Sequence, residues 1–174
     1  MSLSAQTDRD LLCAYQKQDM SVWKTYIDKH EDLLYEYGYC GYIVSADKEA
    51  ARPYVARFRK HVESRKGKLP KGHYEMYMSA VYVFELRLKE SIHPIKAISL
   101  AKEATKLAPT DPMVLTYYGT SLFYAPKPFG SKQEALEWFE RAETYFRAPK
   151  WQDCWLREAN EMYIQQCKEK LKKQ

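Results

Sequence analysis

The side chains in this sequence with the chemistry to hold a metal or attack a substrate are its cysteines and histidines. Cys13, Cys40, Cys154 and Cys167 sit far apart with no C-x-x-C pair, and His30, His61, His73 and His93 offer no closely spaced histidine pair. A structural zinc site draws its ligands from such pairs, so no metal is expected. The thiols read as small buried hydrophobes on helices; a Cys13–Cys40 disulfide is the alternative for an exported chain. No Ser-His-Asp or Cys-His pairing is legible, and no G-x-x-x-x-G-K phosphate loop occurs. The carboxylates lie mostly among lysines, as on solvated helix faces. These features argue against an enzyme: no catalytic residue, cofactor site or metal site is expected.

Basic residues are the next candidates. Arg57, Arg59, Lys60, Arg65, Lys66, Lys68 and Lys71 fall within 57–73 beside a single Glu63, a local charge of +6 in a chain whose net charge is +5. Such a patch could track phosphates, with Phe58 and Tyr74 available to stack bases. Charge runs are more often solvated faces, so nucleic acid or another polyanion is kept as the alternative partner.

The 174 residues suit one compact domain spanning 1–174. Hydrophobic residues make up 45% and charged residues 29%, ordinary for a soluble globular chain, but fifteen tyrosines are an excess that needs an explanation. No apolar run approaches the ~20 residues needed to cross a bilayer, so no membrane insertion is expected. Ser4-Ala5-Gln6 reads equally as the stub of a trimmed signal peptide, placing the chain in the periplasm or outside the cell, or as part of a chain that stays in the cytoplasm.

The elements that must position these residues read as helices throughout. In 8–29, Leu11, Leu12, Tyr15, Val22, Trp23, Tyr26 and Ile27 recur at helical spacing, with Thr7 as N-cap and the polar stretch QKQD as a break, giving one kinked helix or a short pair. Over 151–173, Trp151, Trp155, Ala159, Met162 and Tyr163 keep the same period and suit a terminal capping helix. Gly67, Pro70 and Gly72 mark a loop. In "APKPFGSKQEA", residues 125–135, Pro126 and Pro128 stop one helix, Ser131 with Glu134 caps the next, and Phe129 is expected to tuck against the hairpin as a hydrophobic staple.

Small residues also recur. Ala97, Ala101 and Ala104 precede Pro109; Ala135, Phe139 and Ala142 repeat that spacing; Gly38 is followed by Ala50 and Tyr54. These spacings resemble the tetratricopeptide repeat, a pair of antiparallel helices whose small residues let the two backbones approach. The resemblance places repeats near 31–64, 78–111 and 112–149, the third lengthened by the 125–135 turn. It departs from the pattern at Glu85, where a small residue is expected, and at Arg57, where alanine is. It implies an all-α superhelix of helix pairs with extra N- and C-terminal helices.

The resemblance further implies a protein-binding scaffold whose first helices line a concave groove. The matching positions include Tyr35, Tyr39 and Tyr42 in repeat one, Tyr82 and Leu86 in repeat two, and Thr120, Phe123 and Tyr124 in repeat three. Tyr35 and Tyr39 stand where the chaperone-tail binders of the family carry lysine and asparagine, so an extended or helical peptide with apolar anchors is the expected ligand. The chain also resembles, more weakly, the periplasmic helical-repeat partners of bacterial transporters, which keeps an exported accessory protein binding a small apolar ligand as a further alternative. A terminal helix packed into the groove would instead make these tyrosines core. Partner identity and oligomeric state are not legible.

Overall fold

The computed structural model describes residues 3–90 and 92–173, with side chains from Thr7 onward. Met1 and Ser2, and the side chains of Ser4, Ala5 and Gln6 on which the localisation reading rests, lie outside that description. Among the described residues there is no strand. The described residues form nine helices, α1 (Leu3–Gln16), α2 (Met20–Ile27), α3 (Leu33–Ala46), α4 (Lys48–Ser64), α5 (His73–Leu88), α6 (Pro94–Leu107), α7 (Pro112–Tyr124), α8 (Lys132–Phe146) and α9 (Trp155–Leu171), with one 3-10 turn at Pro149–Trp151. No described helix is long and apolar enough to cross a membrane.

Local chemistry sets the boundaries. The carboxylates of Asp19, Asp32, Asp47 and Asp111 and the hydroxyl of Ser131 each accept a backbone N–H from the first turn of the following helix. Pro94 and Pro112 open α6 and α7, where the missing N–H costs nothing. The QKQD break is a turn, so the N-terminal segment is a helical pair. Thr7 is not its cap: α1 begins at Leu3 and runs through it.

Consecutive helices pack pairwise, and the odd-numbered ones form an inner layer. The inner layer closes on itself. Tyr35 donates to Asp8, joining α3 to α1; Tyr37 packs on Tyr77 and Phe84 of α5; Ser79 hydrogen-bonds Tyr117 of α7; Thr116 donates to Asn160 of α9; and Arg9 and Gln16 of α1 bond Asp153 and Glu158 at the start of α9. The order of that last pair makes α1 and α9 parallel. Of the inner helices, α3, α5 and α7 are buried on most of their surface, Pro112 to Gly119 without interruption, whereas α4 and α8 bury one stripe.

Several positions differ from the sequence expectations. Helix α5 starts at His73, five residues before the start expected for repeat two, because the extra residues between repeats lengthen α4 and α5 as well as the loop. Ala51, not Ala50, is the buried alanine of α4. Phe129 is 61% exposed and staples nothing. All four cysteines are free thiols, Cys13 exposed on α1 and Cys40 buried on α3. In the second and third hairpins the small residues do sit at the interface: Ala97, Ala101, Ala104, Ala135 and Ala142 are all buried, and a Cβ on Gly119 would meet Phe139 at 2.7 Å.

Candidate functional site

The axis of the inner layer is where a groove was expected, and aromatic rings occupy its deeper half. Tyr37 lies 5.9 Å from Tyr117 and 6.0 Å from Trp155, ring centre to ring centre, so side chains of α3, α7 and α9 meet there. Trp155 also packs on Tyr15 of α1 and Trp23 of α2. Gly38 makes room for them: a Cβ there would fall 2.5 Å from Trp23 and 2.8 Å from Trp155. The indole N–H of Trp23 donates to the Leu11 carbonyl, while that of Trp155 is buried with no hydrogen-bond partner among the described residues.

The phenols around this axis feel one another. Burial raises the Tyr15 hydroxyl above the ordinary phenol range and the Tyr37 and Tyr163 hydroxyls well above it, with neighbouring Tyr124 adding to each. Burial also pushes Tyr117 up to about 12, although Ser79 and Ser121 oppose the shift. All four stay protonated at neutral pH and offer O–H groups, not charge.

The groove candidates therefore divide. Tyr35, Tyr39 and Phe123 are buried: Tyr35 packs on Trp23 and Tyr26 of α2, Tyr39 on Tyr54 of α4, and Phe123 on Tyr163 of α9 beneath the ammonium groups of Lys132 and Lys170. The face expected to be open at these three residues is covered by α2, α4 and α9. Tyr82 is half-buried and turned toward α4 and α6, between Arg59 and Lys96; the Lys96 ammonium, aided by Arg59, holds its phenol below the usual range. Leu86 and Thr120 are half-buried, and the Thr120 hydroxyl donates to the Thr116 carbonyl within α7. Tyr42 and Tyr124 are 46% and 66% exposed, near the C-terminal ends of α3 and α7. The Tyr124 hydroxyl reaches that of Tyr163 at 3.4 Å.

The basic segment divides too. Arg57 pairs with Asp28, Arg59 grips Glu85 through two N–H groups at 2.6 and 2.8 Å and also reaches Glu63, and Arg65 pairs with Glu31. Lys66 lies over Tyr74. Lys60, Lys68 and Lys71 are exposed, with no ion pair among the described residues. The arginines thus tie α4 to its neighbours, and the charge left for a polyanion sits on lysines.

Two histidines have carboxylate partners. His61 bridges buried Glu36 on Nδ1 and exposed Glu31 on Nε2. His73 Nε2 lies 2.8 Å from Asp111. No Ser or Cys nucleophile is hydrogen-bonded to either ring, and no group of metal-ligating side chains forms among the described residues.

One signal lay in the sequence without being singled out. In "SIHPIKAI", Ile92 is 86% exposed in the turn between α5 and α6 and Ile95 76% exposed in the first turn of α6, large apolar side chains where solvent-facing positions normally carry polar ones. Comparison with known proteins finds no family model, no curated protein and no solved structure that matches the chain.

Proposed function

We propose that this chain is a non-catalytic interaction module of tetratricopeptide-like construction, binding a peptide or protein segment at the C-terminal ends of its inner helices. The single observation carrying the reading is that Tyr42 and Tyr124 stay exposed there, while the deeper half of the axis is filled by the chain's own rings. A tyrosine ring held on a helix gives a rigid apolar contact with a hydroxyl at little entropic cost, which suits an anchor for an apolar side chain of a partner. Part-exposed Leu86 and Thr120 extend this surface.

A random-peptide display library tests it. Selection on the full chain is expected to enrich peptides with an apolar anchor, whose binding is lost when Tyr42→Ser and Tyr124→Ser are combined. The circular-dichroism spectrum should not change, because both rings are exposed. No enrichment, or enriched peptides that bind the double variant equally well, would overturn the reading.

A further inference from the structure

The end of the molecule bearing the C-termini of the inner helices carries a second feature. Inner helices α5 and α7 run parallel, each followed by an antiparallel outer helix, so the α5–α6 turn and the α7–α8 turn emerge side by side. Helix α9 ends at the same place, since Lys170 lies over the ring of Phe123 near the end of α7. Ile92 is exposed in the first turn, Ile95 at the start of α6 just after it, and Phe129 in the second turn. Segments 89–96, 125–134 and 165–174 together hold eight lysines, three glutamates and no arginine, a net +5 that equals the charge of the whole chain. Of these charges, Glu90 is bonded to Arg52, Lys168 is paired with Glu140, Lys132 donates to the Phe123 carbonyl and Lys96 lies over Tyr82.

We propose that this end docks on an anionic lipid surface, with Ile92, Ile95 and Phe129 entering the interface and exposed Lys89, Lys127, Lys172 and Lys173 facing the headgroups. Three points separate this from a protein interface. Ile92 and Phe129 stand on two separate turns and Ile95 on the opening of α6; a fluid bilayer accepts such protrusions, whereas a protein partner would need a matching pocket for each. The cations of these three segments are lysines, which protein interfaces deplete in favour of arginine, and whose long stems can lie along apolar surface while the ammonium stays in water. The pairing of exposed Ile and Phe with a lysine excess is what interfacial attachment requires, because apolar insertion and headgroup attraction add. No described helix could cross the bilayer, so attachment is superficial. The lipid face shares this end with Tyr42 and Tyr124, and its variants leave both tyrosines in place.

Sedimentation of the full chain with vesicles tests it, using phosphatidylcholine alone and phosphatidylcholine mixed with phosphatidylserine. Binding is expected only with phosphatidylserine, weakening as salt is raised. It should fall at least about tenfold when Ile92→Asp is combined with Phe129→Asp, because less apolar surface is inserted. It should fall about twenty-five-fold or more with Lys127→Glu and Lys172→Glu, at about fivefold or more per reversed lysine. Lys66→Glu with Lys68→Glu, on the loop at the opposite end, should have no effect. The proposal is overturned by absence of binding to phosphatidylserine vesicles, by equal binding of both variants at the proposed face, or by loss of binding in the Lys66/Lys68 variant. It is equally overturned if Ile92 and Phe129 support concentration-dependent self-association in solution without vesicle binding.

Discussion

Trp23 on α2 and Trp155 on α9 meet edge to face, 5.1 Å between ring centres, so the two ends of the chain share one aromatic cluster. Trp155 is 6% exposed and touches Tyr15, Trp23 and Tyr37, which belong to three different helices. Trp155→Ala should cost about 3–5 kcal/mol, the range for emptying a buried aromatic site. Urea unfolding followed by circular dichroism measures it. A loss under about 1 kcal/mol would mean the array stands without its closing helix and that the axis can open cheaply.

Two glycines three residues apart on α3 should respond in opposite directions. A Cβ at Gly38 would press into Trp23 and Trp155, both walled in, so Gly38→Ala should destabilise by about 1–3 kcal/mol. At Gly41 the nearest atoms are those of Phe84 at 3.9 Å, an ordinary contact. Gly41→Ala should therefore stabilise by about 0.5–1 kcal/mol, because alanine loses less backbone entropy in a helix. Melting temperatures of the two variants that move in the same direction would contradict this packing.

The parts of this fold legible in sequence were those set by local spacing. Ala97, Ala101 and Ala104, then Ala135, Phe139 and Ala142, announce two helix hairpins because close-packed helices need small residues at fixed intervals, and all six are buried. Repeat one slipped at Ala50 and Ala51: adjacent alanines fit the spacing almost equally, and only contact with neighbouring helices selects Ala51. The ring closure was not legible, since it depends on residues such as Trp23 and Trp155 that are far apart in the chain and follow no repeat. For the same reason the buried placements of Tyr35, beneath α2, and Phe123, beneath α9, could not be read from repeat positions.

The basic segment should separate by residue type. Arg59→Met would leave Glu85, 15% exposed at its side chain, without its two charge-assisted hydrogen bonds, at a cost of about 1–3 kcal/mol after allowance for partial solvent screening. Lys68→Ala removes no ion pair and should stay within about 0.5 kcal/mol of the parent. Chemical denaturation of both variants checks this. If Lys68→Ala proved the more damaging, the loop charge would be structural and the division drawn between arginines and lysines would fail.

Asp111 links stability to pH. Its carboxylate caps α7 by accepting the N–H groups of Met113 and Val114 at 2.9 and 3.4 Å, and it faces His73 Nε2 at 2.8 Å. Burial pushes this carboxyl up, but His73 and the two N–H groups outweigh burial and hold it below the usual carboxylate range. A carboxyl whose folded pKa lies below its unfolded value of about 3.9 binds fewer protons in the folded state. Its contribution is therefore fully present above that unfolded value and disappears as pH falls through the lower, folded one. Asp111→Asn keeps an N-cap that can still accept from the helix but removes the charge. The stability difference between parent and variant should be largest near neutral pH and shrink as the solution is acidified below the ordinary carboxylate range, as measured by urea unfolding at successive pH values. A difference that stayed constant to strongly acid pH would show that the Asp111 charge contributes nothing and that only its cap geometry matters.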